Sequence, residues 1–166
     1  MIVLAIAGLI IAIVFIAVPQ LQRNARDNQR ESIANRLSAE LTTYSGNNQG
    51  LYPFAGTPGA TPPGTLCNTQ AASGQNCGDW YSRYINGKVT ITDPTTGANT
   101  NVRYFSPTAA GTYTWVSGDG WIAVGSSCSG ENGYTAGAGS SNATAKKFAL
   151  TVALDRNNTF YCVDNG

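Results

Sequence analysis

The first eighteen residues, Met1 through Val18, carry neither a charge nor a polar side chain, and the first charge in the chain is Arg23. As a helix this run covers about 27 Å, slightly short of the ~20 residues that span a bilayer. A cleaved signal peptide would begin with positive residues, hold an apolar stretch of about 7 to 15 residues and end at a small-residue site. Here no positive residue precedes the run, and it closes on Val18-Pro19-Gln20. The run therefore reads as a retained helix, apolar all round, which has to be covered by lipid or by other helices.

After Pro19 the pattern changes. Arg23, Arg26, Asp27, Arg30, Glu31, Arg36 and Glu40 interleave with polar residues, while Ile33, Leu37, Leu41 and Tyr44 recur at helical spacing. That spacing puts the four on one stripe, which is expected to pack against the rest of the chain. Gly46 can take the left-handed position that ends a helix, which places the end near Tyr44 and Ser45. The expected organisation is a helix over 1–48, apolar over 1–22 and amphipathic over 23–48, followed by a β-rich head over 49–166.

Strand patterns, rich in β-branched and aromatic residues, fall at 88–92, 102–105, 112–116, 121–124, 148–154 and 159–163. Phe148, Leu150, Val152 and Leu154 alternate with Ala149, Thr151 and Ala153, as in a strand with one face on a core. Ser117-Gly118-Asp119-Gly120 and Asp155-Arg156-Asn157-Asn158 read as hairpin turns. Residues 51–87, with Pro53, Pro58, Pro62 and Pro63, read as loop, and residues 125–145 as a Gly/Ser-rich surface segment. The expected fold class is α+β, one long helix packed on an antiparallel sheet.

Cys67, Cys77, Cys128 and Cys162 form an even set without a CxxC pair. With no histidine anywhere in the chain, a mixed Cys/His metal site is excluded, and two disulfides in an exported domain are the better reading. Three connectivities are possible. Sequential pairing, Cys67 with Cys77 and Cys128 with Cys162, is preferred because each pair closes its own loop system. The missing histidine also excludes the commonest triads and general bases, and a net charge of +1 gives no basic face for nucleic acid. No cofactor site is visible.

An apolar helix continuing into an amphipathic one, then a cysteine-bearing head, resembles the type IV pilin and type II pseudopilin family. Met1-Ile2-Val3-Leu4-Ala5-Ile6-Ala7-Gly8 resembles the family's apolar N-terminal motif, Pro19 its helix proline and Leu21-Gln22-Arg23-Asn24-Ala25-Arg26 its polar continuation. Tyr44, then Asn47-Asn48-Gln49-Gly50-Leu51-Tyr52-Pro53, resembles the junction between helix and head. The resemblance covers about the first third of the chain. The family's leader, peptidase site and nearby acidic residue are not matched, as though the sequence began several residues inside the usual mature chain.

This resemblance implies a structural subunit of an extracellular filament serving adhesion, motility or DNA uptake. Its partners would be further copies of itself, the cytoplasmic membrane before assembly, the pilus assembly machinery and a host or substrate surface. Ile2, Leu4, Ile6, Leu9, Ile11, Ile13, Phe15 and Ile16 would form the filament core. Within the filament, Gly8 and Pro19 are expected to bound a partly extended break in the helix, since Gly, Pro and the β-branched residues between them are weak helix formers. Trp80, Tyr81 and Tyr84, placed in a loop, are candidates for an exposed adhesive surface.

Three alternatives stand beside this reading: a membrane-anchored adhesin that never polymerises, a secretion pseudopilin, and a wall-polymer hydrolase. The hydrolase would need paired carboxylates such as Asp119 and Asp155, but these read as turn residues. So do Glu131 and Asp164, which do not have the spacing of a calcium loop. Arg23, Arg26 and Arg30 after the apolar run favour a cytoplasmic head by the positive-inside rule, whereas the cysteines favour export. The cysteines decide the expected location: extracellular, with the membrane as a way station.

Overall fold

The computed structural model describes residues 2–53, 64–72, 74, 76–105, 118–130, 134–135, 146–156 and 159–166. Helix α1, Ile2–Asn47, is a single α-helix of 46 residues, about 69 Å long at the standard rise. It passes through Gly8 and Pro19 without interruption in the isolated chain, whereas the extended stretch between them is expected in the filament. Proline deletes one backbone hydrogen bond, whereas a real break would require a second, costly nucleation of the helix beyond it.

Gly46 also stays helical. The chain instead reverses at Gln49 and Gly50, whose φ angles are 58° and 80°. The Gly50 amide donates to the Ser45 carbonyl at 2.8 Å, and the Asn48 side-chain amide donates to the Tyr44 carbonyl at 2.8 Å. These bonds satisfy carbonyls that the last helical turn would otherwise leave open. Tyr52 follows directly and enters the head edge-on to Phe148, with ring centroids 4.9 Å apart.

The main sheet has five strands: β1 (Thr65–Leu66), β2 (Val102–Phe105), β3 (Gly120–Val124), β6 (Phe148–Ala153) and β7 (Phe160–Asp164), in the order β1-β2-β3-β6-β7. β4 (Ser127–Cys128) and β5 (Tyr134–Thr135) form a separate ribbon. The α+β layout holds, but the sheet is mixed. β2 and β3 run parallel, pairing Tyr104 with Ile122, while the other pairs are antiparallel. The sheet expected from the sequence is antiparallel throughout; the strand expected at 112–116, ahead of the turn into β3, lies outside the described residues.

The strand expected at 88–92 is reduced to one bridge between Thr92 and Asn99. Residues 77–85, where a loop is expected, are helical: α2 (Cys77–Trp80) runs into a π-helical turn (Tyr81–Ile85). Asn76 caps it, its side-chain oxygen accepting from the Asp79 amide at 2.8 Å. β6 is buried on both faces, not one. Phe148, Leu150 and Val152 join Ile33, Leu37, Leu41 and Tyr44 in the main core, while Ala153 packs with Trp121 and Ala123 on the far side of the sheet.

The four cysteines are joined as two disulfides, Cys67–Cys77 and Cys128–Cys162. The first ties the end of β1 to the start of α2, and the second ties β4 to β7 across 34 residues of sequence. In the chain-entropy description a loop of that size contributes roughly 3 to 4 kcal/mol. Non-reducing peptide mapping of the purified protein is therefore expected to recover both linkages and no free thiol; crossed pairing would contradict this connectivity.

Candidate functional site

The long helix presents two different surfaces. From Ile2 to Ala25 every residue is exposed, and the large apolar side chains lie open around the whole circumference: Leu4 is 75% exposed, Leu9 63%, Phe15 75% and Ile16 79%. Ile2, Ile6, Ile11 and Ile13 are exposed in the same way. Among the described residues, all the exposed large hydrophobic side chains fall within 2–21, so the head offers no comparable apolar patch. The helix is long and apolar enough to cross a membrane, as expected for a membrane anchor or a signal sequence.

Burial starts at Asp27. The buried face of α1 continues through Arg30, Ile33, Ala34, Leu37, Leu41, Tyr44 and Ser45, so a single stripe carries charge at its lower end and apolar groups above. Arg30 is 1% exposed. Its guanidinium donates from Nε to Asp93 Oδ2 at 2.8 Å, from Nη2 to Thr95 Oγ1 at 2.8 Å and from Nη1 to Asp155. Arg26 donates to the other oxygen of Asp155. Asp27, also buried, accepts from the Asp155 backbone amide at 2.7 Å and from Arg156 Nε at 3.0 Å.

Burial is the largest influence on Asp93 and acts to raise its pKa. It is outweighed by the Arg30 hydrogen bond, the Thr96 and Thr95 amides and the Arg30 charge, which together hold the carboxyl below its ordinary 3.8. Asp155 is lowered in the same way against burial, by Arg30 and Arg26. Arg30 is raised: its burial is outweighed by Asp93 and Asp155. Arg30, Asp93 and Asp155 are therefore ionised at neutral pH.

These facts change several expectations. Asp155 is not an ordinary turn aspartate but an anchor for α1. Asp119 accepts from Arg103 Nε at 2.9 Å and from the Asn101 side chain at 3.2 Å, and Asp164 accepts from the Cys128 amide at 2.6 Å. Glu131 lies outside the described residues. Arg26 and Arg30 have a structural reason to follow the apolar run, independent of membrane orientation, so they weigh less as topology signals. Trp80 is fully buried and Tyr81 is 8% exposed, so the expected adhesive surface of Trp80, Tyr81 and Tyr84 is not there. The helical turn rotates these rings into the core, and Tyr84, half-buried, packs edge-on to Tyr44 with centroids 5.4 Å apart.

Two sequence signals could have revealed what was missed. The apolar stripe extends at helical spacing through Arg30 and Asp27, which places opposite charges on a core-facing line and demands partners elsewhere. Trp80, Tyr81, Tyr84 and Ile85 also have the spacing of a helix face, just after an Asn able to cap it. Comparison with family models, curated proteins and solved structures finds no match to this chain.

Proposed function

We propose that the chain is the repeating structural subunit of an extracellular, type IV pilus-like filament. The observation that carries this reading is the division of α1: its upper half completes the core of the head, while residues 2–25 are exposed throughout and apolar on every side as far as Val18. Such a surface is covered by lipid in a membrane and can be covered equally by identical helices in a bundle. Subunits would wait in the cytoplasmic membrane, be moved by an assembly machinery, and stack through residues 2–21 with the heads outward. The two disulfides fit an exported head.

The work of such a filament is mechanical: attachment to a surface, motility or uptake of DNA, with no catalytic step. The decisive experiment is mass spectrometry of filaments sheared from the cell surface. This chain is expected to be their dominant protein. Recovery from the membrane fraction alone would instead favour an anchored head that does not polymerise. Within the filament, residues 8–19 remain the stretch that is easiest to extend, since Pro19 leaves the carbonyl of Phe15 without its helical donor. A side-chain-resolution filament map is expected to show extended backbone there; unbroken helical bonding would refute it.

A further inference from the structure

The ion cluster occupies a particular place. It lies below Ile33, the lowest apolar side chain of α1 in the core, and above Ala25, where the unbroken exposed run of α1 ends. It joins three parts of the chain: α1 through Arg26, Asp27 and Arg30, the turn at 93–97 through Asp93 and Thr95, and the β6–β7 turn through Asp155 and Arg156. Arg30 is the only group bonded to both turns among these contacts. Three arginines face three aspartates, with Glu31 at the margin, 4.0 Å from Arg156.

An apolar residue at position 30 would hold a helix to a sheet at least as firmly, because buried ion pairs seldom stabilise more than a packed hydrophobic group does. What ion pairs add is direction. Apolar contacts tolerate a small swing or slide, whereas a guanidinium forked between two carboxylates does not. Below this point α1 is a rigid lever of 24 exposed residues, about 36 Å long at 1.5 Å per residue. A small change of angle at the neck thus becomes a large displacement at the apolar end.

We propose that this cluster is a clasp that fixes the angle between the apolar helix and the head, and that acid opens it. The clasp acts on a single chain, so it does not depend on whether the chain polymerises. Opening would free residues 26–32 from the two turns while the apolar contacts from Ile33 upward keep the head attached. The groups that govern the opening are Asp93 and Asp155, the two carboxylates bonded to Arg30; Asp27 and Arg156 pair beside them, and Glu31 faces only the Arg156 edge.

The test measures the distance between nitroxides placed, through non-natural amino acids, at the exposed positions Gln20 and Asn86 of the full chain in detergent micelles. A swing of about 15° at the neck carries Gln20, about 20 Å below Ile33, through about 5 Å. At neutral pH the native protein is expected to give one narrow distance. The variant R30M/D93N/D155N, which removes Arg30 and both of its carboxylate partners, should give a distribution broadened by about that amount, with near-ultraviolet dichroism of the head unchanged. A folded variant that keeps the narrow native distance would overturn the clasp. If the variant does not fold, the native protein decides: broadening in acid before the head's dichroism is lost supports the clasp. A distance that stays fixed until the head unfolds refutes it.

Discussion

Replacing Arg30 by alanine is expected to destabilise the head by about 3 to 5 kcal/mol, the loss typical when one member of a buried ion pair is removed and its partners stay charged. Asp93 would keep only the Thr95 and Thr96 amides, at 2.9 and 3.0 Å, both on Oδ1. Its other oxygen, the one now held by Arg30, would be left without that donor. Solvent cannot readily take over, because Asp93 is 2% exposed and is pressed against Gly118: a Cβ there would stand 2.5 Å from Asp93 Oδ2. Asp155 would retain Arg26 and so lose less. At a urea slope of about 2 kcal/mol per molar, the midpoint should fall by roughly 2 M. A fall of less than about 0.5 M would mean that the cluster is nearly neutral in energy.

The pH dependence gives an independent check on the same residue. Asp93 and Asp155 have folded pKa values below their unfolded ones, so the native state binds protons less readily than the unfolded state does. Their contribution is fully present above the unfolded value near 3.8 and is lost as pH falls through the lower folded values. Native stability should therefore drop steeply below about pH 4, whereas Arg30→Ala should lose less over the same interval because part of that contribution is already gone. Parallel curves for the two proteins would argue that other carboxylates control the acid transition.

The sequence made the helix legible because its apolar run and its 33-37-41-44 stripe are long, periodic signals that the rest of the chain cannot easily override. The strands at 102–105, 121–124 and 159–163 were legible to within a residue or so for the same reason, each having a dense run of β-branched or aromatic residues. The parallel pairing of β2 with β3 was not, since strand composition is silent on direction. Residues 77–85 were misread because Cys, Gly, Asp, Trp and Tyr have modest helix propensity; a disulfide, an Asn cap and burial of Trp80 outweigh it. The clasp was invisible as a unit because its members lie 63 to 129 residues apart. Only the fold brings Arg30 to Asp93.

The boundary between the two surfaces of α1 makes the sharpest prediction about the whole molecule. Deleting residues 1–25 should leave a soluble, folded monomer, because every buried residue of α1 lies at Asp27 or beyond. The deletion removes all the large apolar side chains that are exposed among the described residues, while Arg26, Asp27, Arg30 and the core stripe stay in place. Extending the deletion through residue 33 should have the opposite result. It would remove Asp27, Arg30 and Ile33 together, leaving Asp93 without its arginine and a gap beneath Leu37. The ion-pair loss of about 3 to 5 kcal/mol and the loss of a buried isoleucine, about 2 to 5 kcal/mol, together fall within the stability of an ordinary domain, about 5 to 15 kcal/mol. Sedimentation and near-ultraviolet dichroism of the two deletions distinguish these outcomes. If the shorter deletion still associated, the head would have to hold an assembly surface of its own; if it failed to fold, the exposed half of the helix would be part of the folding unit.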